Sequence, residues 1–199
     1  MIFDPKSTAL IAIHCQGDII GAEGAFADFF HGEVVNRNIV GKLSGLLKGA
    51  RDAGATLIYT QIAYRPDYSD LNANSPLLQI AQQRESLKLG GEQTAFIEAL
   101  TPEDSDLVVV NQRVGGFTPE LAQILEERGI QTLVFAGVAT NISVESSARA
   151  ASDHGFHVAI VEDACSAATP EAHAASIGSL GLLASITSSR ELNWAASLT

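Results

Sequence analysis

Five apolar runs recur along the chain with room for a helix between most of them. They are "TALIAIHC" (Thr8–Cys15), "ATLIYTQIA" (Ala55–Ala63), "DLVVV" (Asp106–Val110), "QTLVFAGV" (Gln131–Val138) and "FHVAIVEDA" (Phe156–Ala164). Runs of this length with little polar alternation predict strands buried on both faces, as in a parallel sheet. A weaker sixth strand is predicted at Leu183–Thr187. Between the strands the period changes. Val35, Ile39, Leu43, Leu46 and Leu47 recur at helical spacing until Gly54 stops the helix. "TPELAQILEERG" (Thr118–Gly129) places a capping Thr, a first-turn Pro and a terminal Gly where a helix needs them. Further helices are predicted to start near Asn141 and near Thr169–Pro170. Strands alternating with helices imply right-handed βαβ units and a three-layer α/β/α sandwich. The sequence shows no repeat, low-complexity tract or linker, so one domain spanning 1–199 is expected.

The segment Tyr64–Gln93 breaks the rhythm. It is long, irregular and follows a strand, which suits a lid or an oligomer contact. The plainer alternative is a surface excursion carrying a short helix at Pro76–Leu87.

Composition narrows the function classes. Hydrophobic residues make up 46% and charged residues 18%, which fits a globular chain of 199 residues with a sizeable core. A net charge of −11 leaves no basic stripe to neutralise phosphates, so no nucleic-acid partner is expected. The partner expected is a small molecule or another protein. No apolar run reaches the length of a membrane span, and "MIFDPKSTAL" does not read as a signal peptide, so a cytoplasmic location is expected. Cys15 and Cys165 sit inside apolar runs and have no zinc or Cys-x-x-Cys spacing.

In open parallel sheets, ligands bind at the carboxyl ends of strands. The first strand ends in His14, the third in Asn111, and the fourth runs through "GVATN" to Ser143 at a helix start. The stretches "ALIAIHCQGDI", "VVVNQRVGGF", "LVFAGVATNISVESSARAASDHGFHVAIVEDACSAA" and "EAHAASI" resemble the isochorismatase-like, or cysteine hydrolase, superfamily, in the right order and over nearly the whole chain. The resemblance implies a six-stranded, mostly parallel sheet flanked by helices, and a dimer or higher homo-oligomer. It also implies an Asp–Lys–Cys triad. The matching positions are His14 for the Asp, Asn111 for the Lys (six residues before Phe117) and Ser143 for the Cys. All three depart from the pattern.

Each departure changes the chemistry. A serine hydroxyl needs a base to take its proton, where a cysteine can be pre-ionised. Histidine exchanges a low-pKa acceptor for an imidazole that ordinarily titrates near neutrality. Asparagine drops a positive charge but keeps donors and an acceptor. The three changes suit one another, since no charged partner is stranded. The resemblance further implies a cis peptide at Val138–Ala139, with the amides of Ala139 and Ser143 as candidate oxyanion donors. Phe117 is a candidate substrate contact.

Plainer readings stand beside these. Ser143 serves as a small residue at a helix start, His14 as a hydrogen-bonded core histidine, and Asn111 as a hydrogen-bonding substitute. Cys15 is read as core, because strand alternation points it away from His14. Asp18 and Asp163 read as acceptors that fix loops. Nicotinamidases of this superfamily carry an Asp-x-His metal pair after the second strand, which "QIAYRPDY" lacks. His31, His154, His157 and His173 are scattered, so neither metal nor other cofactor is expected.

Two function classes remain. One is a hydrolase of small amides, esters or ureido compounds, with Ser143 as nucleophile, His14 as base and then acid, and Asn111 orienting the imidazole or binding substrate. A variant of it hydrolyses a vinyl ether with His14 as the acid. The other is a non-catalytic ligand-binding or protein-binding module. Hydrogen-bond reach between His14 and Ser143 would favour the first, and a gap filled by apolar side chains the second.

Overall fold

The computed structural model describes residues 1–196; the end of the expected domain span, 197–199, lies outside the described residues. Six strands form one sheet: β2 (Thr8–Ile13), β3 (Thr56–Ile62), β4 (Leu107–Asn111), β5 (Thr132–Val138), β6 (His157–Ser166) and β7 (Ser185–Thr187). Their order is β4-β3-β2-β5-β6-β7, and every neighbouring pair is parallel. The weak sixth strand is therefore present as β7. Two further strands, β1 (Ile2–Phe3) and β8 (Asn193–Trp194), pair in a small separate ribbon that the apolar pattern does not announce. Helices flank the sheet to give the three-layer sandwich. α3 (Ile39–Ala53) packs across β2, β3, β5 and β6, while α6 (Glu145–Asp153) and α7 (Pro170–Leu180) pack on each other and on β6.

Local chemistry sets the element ends. Thr118 Oγ1 accepts from the Leu121 amide at 3.2 Å, Pro119 opens α5 (Pro119–Glu127), and Gly129 leaves it at φ 69°. Thr169 caps α7 in the same way through the Ala172 amide. One helix expectation is corrected. Val35 does not continue the period of α3. It belongs to α2 (Ala27–Asn36) and is exposed, because Asn38 turns into the left-handed region at φ 52° between the two helices. Burial of every strand on both faces is corrected too. β4 is the sheet edge and exposes Val108 and Val110 on one side.

Strand order reverses between β2 and β5, the first and fourth predicted strands. Their carboxyl ends diverge there and open a crevice. Gly137 permits the close approach that precedes it. Its φ is 126°, and a Cβ at that position would collide with the Ile13 carbonyl. The long segment closes over the crevice. Tyr64 exchanges backbone hydrogen bonds with Leu87 and Leu89, and Asp18 Oδ2 accepts from the Leu87 amide and the Thr94 hydroxyl. Within that loop stands α4 (Pro76–Gln83), shorter than predicted by four residues at its end.

Candidate active site

His14 leaves β2 in the left-handed region, at φ 49°, where a histidine is tolerated better than most residues. Its amide donates to the Thr60 carbonyl at 3.2 Å, which fixes this turn against β3. Cys15 is buried in the core and donates its thiol to the Ile13 carbonyl. The left-handed turn at His14, rather than strand alternation, separates the two side chains.

Ser143 lies in a single π-helical turn, Thr140–Val144, that follows the cis Val138–Ala139 peptide and leads into α6. Its Oγ stands 3.1 Å from His14 Nδ1 in a buried setting. The third position, Asn111, ends β4 two strands away. Its Nδ2 donates to the carbonyls of Arg113, at 2.8 Å, and Gly115. Oδ1 is then the part of the amide left for the imidazole. His14 Nε2 and Asn111 Oδ1 are both buried without a formed hydrogen bond, yet Asn111 is near enough to raise the imidazole pKa by hydrogen bonding. No hydrogen bond joins the two atoms in this structure. A carbonyl oxygen beside Nε2 favours the proton there. Nδ1 then offers its lone pair to the Ser143 hydroxyl.

A serine bridge ties the two loops. Ser147 Oγ donates to the Ser143 carbonyl at 2.6 Å and accepts from the Gly116 amide at 2.8 Å. The Asn111 loop is thereby hung on the helix that carries Ser143. Behind the turn, His173 Nε2 lies 3.0 Å from the Arg37 guanidinium and 3.4 Å from Glu162 Oε2, and its Nδ1 lies 2.8 Å from Thr140 Oγ1. Sequence alone leaves His173 among the scattered histidines; its place behind the Ser143 turn depends on a contact between residues 33 apart in sequence.

Burial corrects one electrostatic expectation. Desolvation pushes the His14 pKa down to about 4, against which the Asn111 contact pulls weakly upward. The imidazole is therefore neutral near pH 7 and does not titrate there. The sequence could not show this, because the groups that bury His14 come from distant elements.

His14 and Ser143 open onto a small cavity of about 30 Å³. α1 (Gly17–Ile20) contributes Ile19, and the start of α2 contributes Phe26 and Phe30. α4 contributes Leu77, Leu78 and Ala81. Ile62, Leu87 and Val114 come from loops and strand ends, and Val138, Ala139 and Ile142 from the turn before α6. Sequence reasoning missed most of these walls. Asn111 does not line the cavity. Phe117 is not at the cavity either. Its ring packs edge-on against His154 and Phe156, 5.1 and 5.9 Å between centroids. Among the described residues, no three His, Cys, Asp or Glu side chains come together as a metal ion would require.

Comparisons with known proteins agree with this architecture. The Isochorismatase domain model matches residues 8–191. An uncharacterized isochorismatase family protein, YecD of Escherichia coli O157:H7, is 35% identical over 180 residues, 86% of each chain. Ureidoacrylate amidohydrolase RutB of Klebsiella variicola (strain At-22) is 31% identical over 185 residues, 85% of this chain and 78% of the relative. Among solved structures, a cysteine hydrolase from Pseudomonas syringae pv. phaseolicola 1448A shares the fold with a TM-score of 0.85 at 24% identity, over 95% of this chain and 92% of that one. The sequence match over most of the chain and the common fold lead to one conclusion: this protein belongs to the isochorismatase family.

Proposed function

We propose that the chain is a hydrolase of small carbonyl compounds, amides first and esters next, with Ser143 as nucleophile and His14 as base. The observation that carries this reading is the 3.1 Å contact between His14 Nδ1 and Ser143 Oγ at the buried end of a cavity. Heavy-atom separations of about 2.6–3.2 Å are what proton transfer from a nucleophile to its base requires. An amidohydrolase among the relatives supports the substrate class.

Each residue has one part in the reaction. The Ser143 oxygen forms a bond to the substrate carbonyl carbon while its proton passes to His14 Nδ1. The amides of Ala139 and Ser143 are the candidate donors to the oxyanion. The tetrahedral intermediate collapses, the C–N or C–O bond breaks, and the leaving group takes the proton from His14. Water then attacks the acyl-serine with His14 again as base, releasing the acid and restoring the hydroxyl. Asn111 is a positioning residue: its Oδ1 holds the Nε2–H tautomer and accepts from the imidazolium that forms. A neutral amide stabilises that imidazolium less than a carboxylate would, so modest turnover is expected.

The vinyl-ether variant, with His14 as a standing acid, loses support from the low pKa, because the imidazolium is scarce at neutral pH. The binding-module alternative predicts no turnover. A screen of small amides, esters and a vinyl ether, run beside Ser143→Ala, decides between them. Turnover abolished by the substitution supports the hydrolase; activity that survives it removes Ser143 from the chemistry. The proposal extends to a homo-oligomer, a dimer first of all. It is supported by exposed Leu89 in the long segment and exposed Val108 and Val110 on β4. Light scattering at micromolar concentration tests it.

A further inference from the structure

The cavity wall is almost wholly hydrocarbon. Its polar side chains are His14 and Ser143, both at one end, and His14 is neutral at pH 7. Among the described residues, no Lys, Arg, Asp or Glu side chain lines it. The cations nearby are placed elsewhere. Arg84 pairs with Asp28 and lies over the Phe29 ring, and Lys88 pairs with Glu85. Arg113 follows β4 and precedes Val114 of the wall, but is itself exposed and outside the cavity. A charged group entering would give up its hydration and meet no counter-charge, which is costly for either sign. A hydrocarbon group gains from the same walls, by about fourfold in affinity per methylene buried.

We infer that the site selects uncharged substrates whose acyl part is hydrocarbon: aliphatic or aryl carboxamides and esters without a carboxylate or ammonium on the buried portion. The chemistry rests on the Ser143–His14 reading, but the selectivity belongs to the walls and is measurable without turnover. Phe26 and Phe30 on one side and Leu77 and Leu78 on the other supply flat, apolar contact, and the Ser143 end is the one place for a carbonyl. The molecule's net charge of −11 offers a rival explanation for rejecting anions, and that explanation predicts attraction of cations.

The test is calorimetric titration of the Ser143→Ala chain at pH 7 with three probes of similar size: benzamide, benzoate and benzylammonium. A series of acetamide, butanamide and hexanamide follows. The expected result is benzamide tighter than both ions by about 100-fold or more, and affinity rising along the amide series. Val114→Lys, at a half-buried wall position, should then narrow the gap between benzamide and benzoate by about tenfold or more. Either ion binding as tightly as benzamide, or flat affinity along the series, would overturn the inference. Should the binding order hold while no compound is turned over, the hydrolase reading fails and the selectivity stands. Should carboxylate-bearing esters turn over as fast as neutral ones, the selectivity fails and the hydrolase reading stands.

Discussion

His14 Nδ1 and Ser143 Oγ lie 3.1 Å apart although 129 residues separate them in sequence. The sheet creates this meeting. β2 and β5 are neighbours, in register from Thr8–Thr132 to Ile13–Gly137, so the residues that leave their carboxyl ends face one crevice. The left-handed turn at His14 and the π-helical turn around Ser143 then aim the two side chains at each other.

Acid stability follows from the burial of His14. Its folded pKa, about 4, lies below the ordinary 6.5. Between those values the unfolded chain binds the proton and the folded chain does not, so stability rises with pH there. His14 contributes fully above about pH 6.5, and that contribution falls away as pH drops towards 4, by about 3 kcal/mol in all. Burial of His173, helped by Arg37, lowers its pKa and acts in the same direction. His14→Asn keeps a residue suited to the left-handed turn and removes the titration. Urea unfolding of both chains at pH 4, 5, 6 and 7 should show a flatter profile for the variant.

The pH–rate profile should mirror this. With neutral His14 as base, turnover rises through pH 4 and levels off by about pH 6. Asn111→Asp would put a carboxylate beside the imidazole and stabilise the imidazolium. The acid limb should then move up by about one pH unit or more. The same substitution removes the Nδ2 donor from the Arg113 and Gly115 carbonyls, at a cost of about 1–3 kcal/mol. Melting curves and pH–rate profiles of the two chains check both effects. An acid limb that does not move would take Asn111 away from the imidazole.

Thiol reagents should leave the protein alone. Cys15 and Cys165 are fully buried, and burial pushes both thiols up to about 12. Iodoacetamide at pH 7.5 should label neither in the native state and both in urea. Activity lost through alkylation of Cys15 in the folded chain would contradict its place in the core.

Much of the fold was legible because each long apolar run is a strand and each strand end carries a recognisable residue. Thr118, Pro119 and Gly129 spelled out α5 in full. The three site positions could be ranked by the same logic, since a parallel sheet puts strand ends together. Three things were not legible. The αL turns at His14 and Asn38 interrupt apolar periods without glycine or proline to mark them. The cavity walls from α1, α2 and α4 depend on how a 30-residue excursion folds back, which Asp18 decides through Leu87 and Thr94. The imidazole pKa depends on those same walls. Phe117 shows the limit of spacing: it marks the loop after β4 correctly, yet its ring packs against Phe156 rather than the cavity.

The most direct test of the central claim is covalent trapping of the nucleophile. Phenylmethylsulfonyl fluoride, a neutral aryl electrophile, is incubated with the wild-type chain, His14→Asn and Ser143→Ala at pH 7, and each is mapped by peptide mass spectrometry. A hydroxyl activated by a neighbouring base reacts; an ordinary one does not. The predicted result is a single sulfonyl adduct on the peptide carrying Ser143, slowed by at least about 100-fold in His14→Asn and absent in Ser143→Ala, with loss of turnover in step with labelling. Labelling of Ser143 at an equal rate without the imidazole, or full turnover by Ser143→Ala, would contradict a Ser143–His14 nucleophile and base.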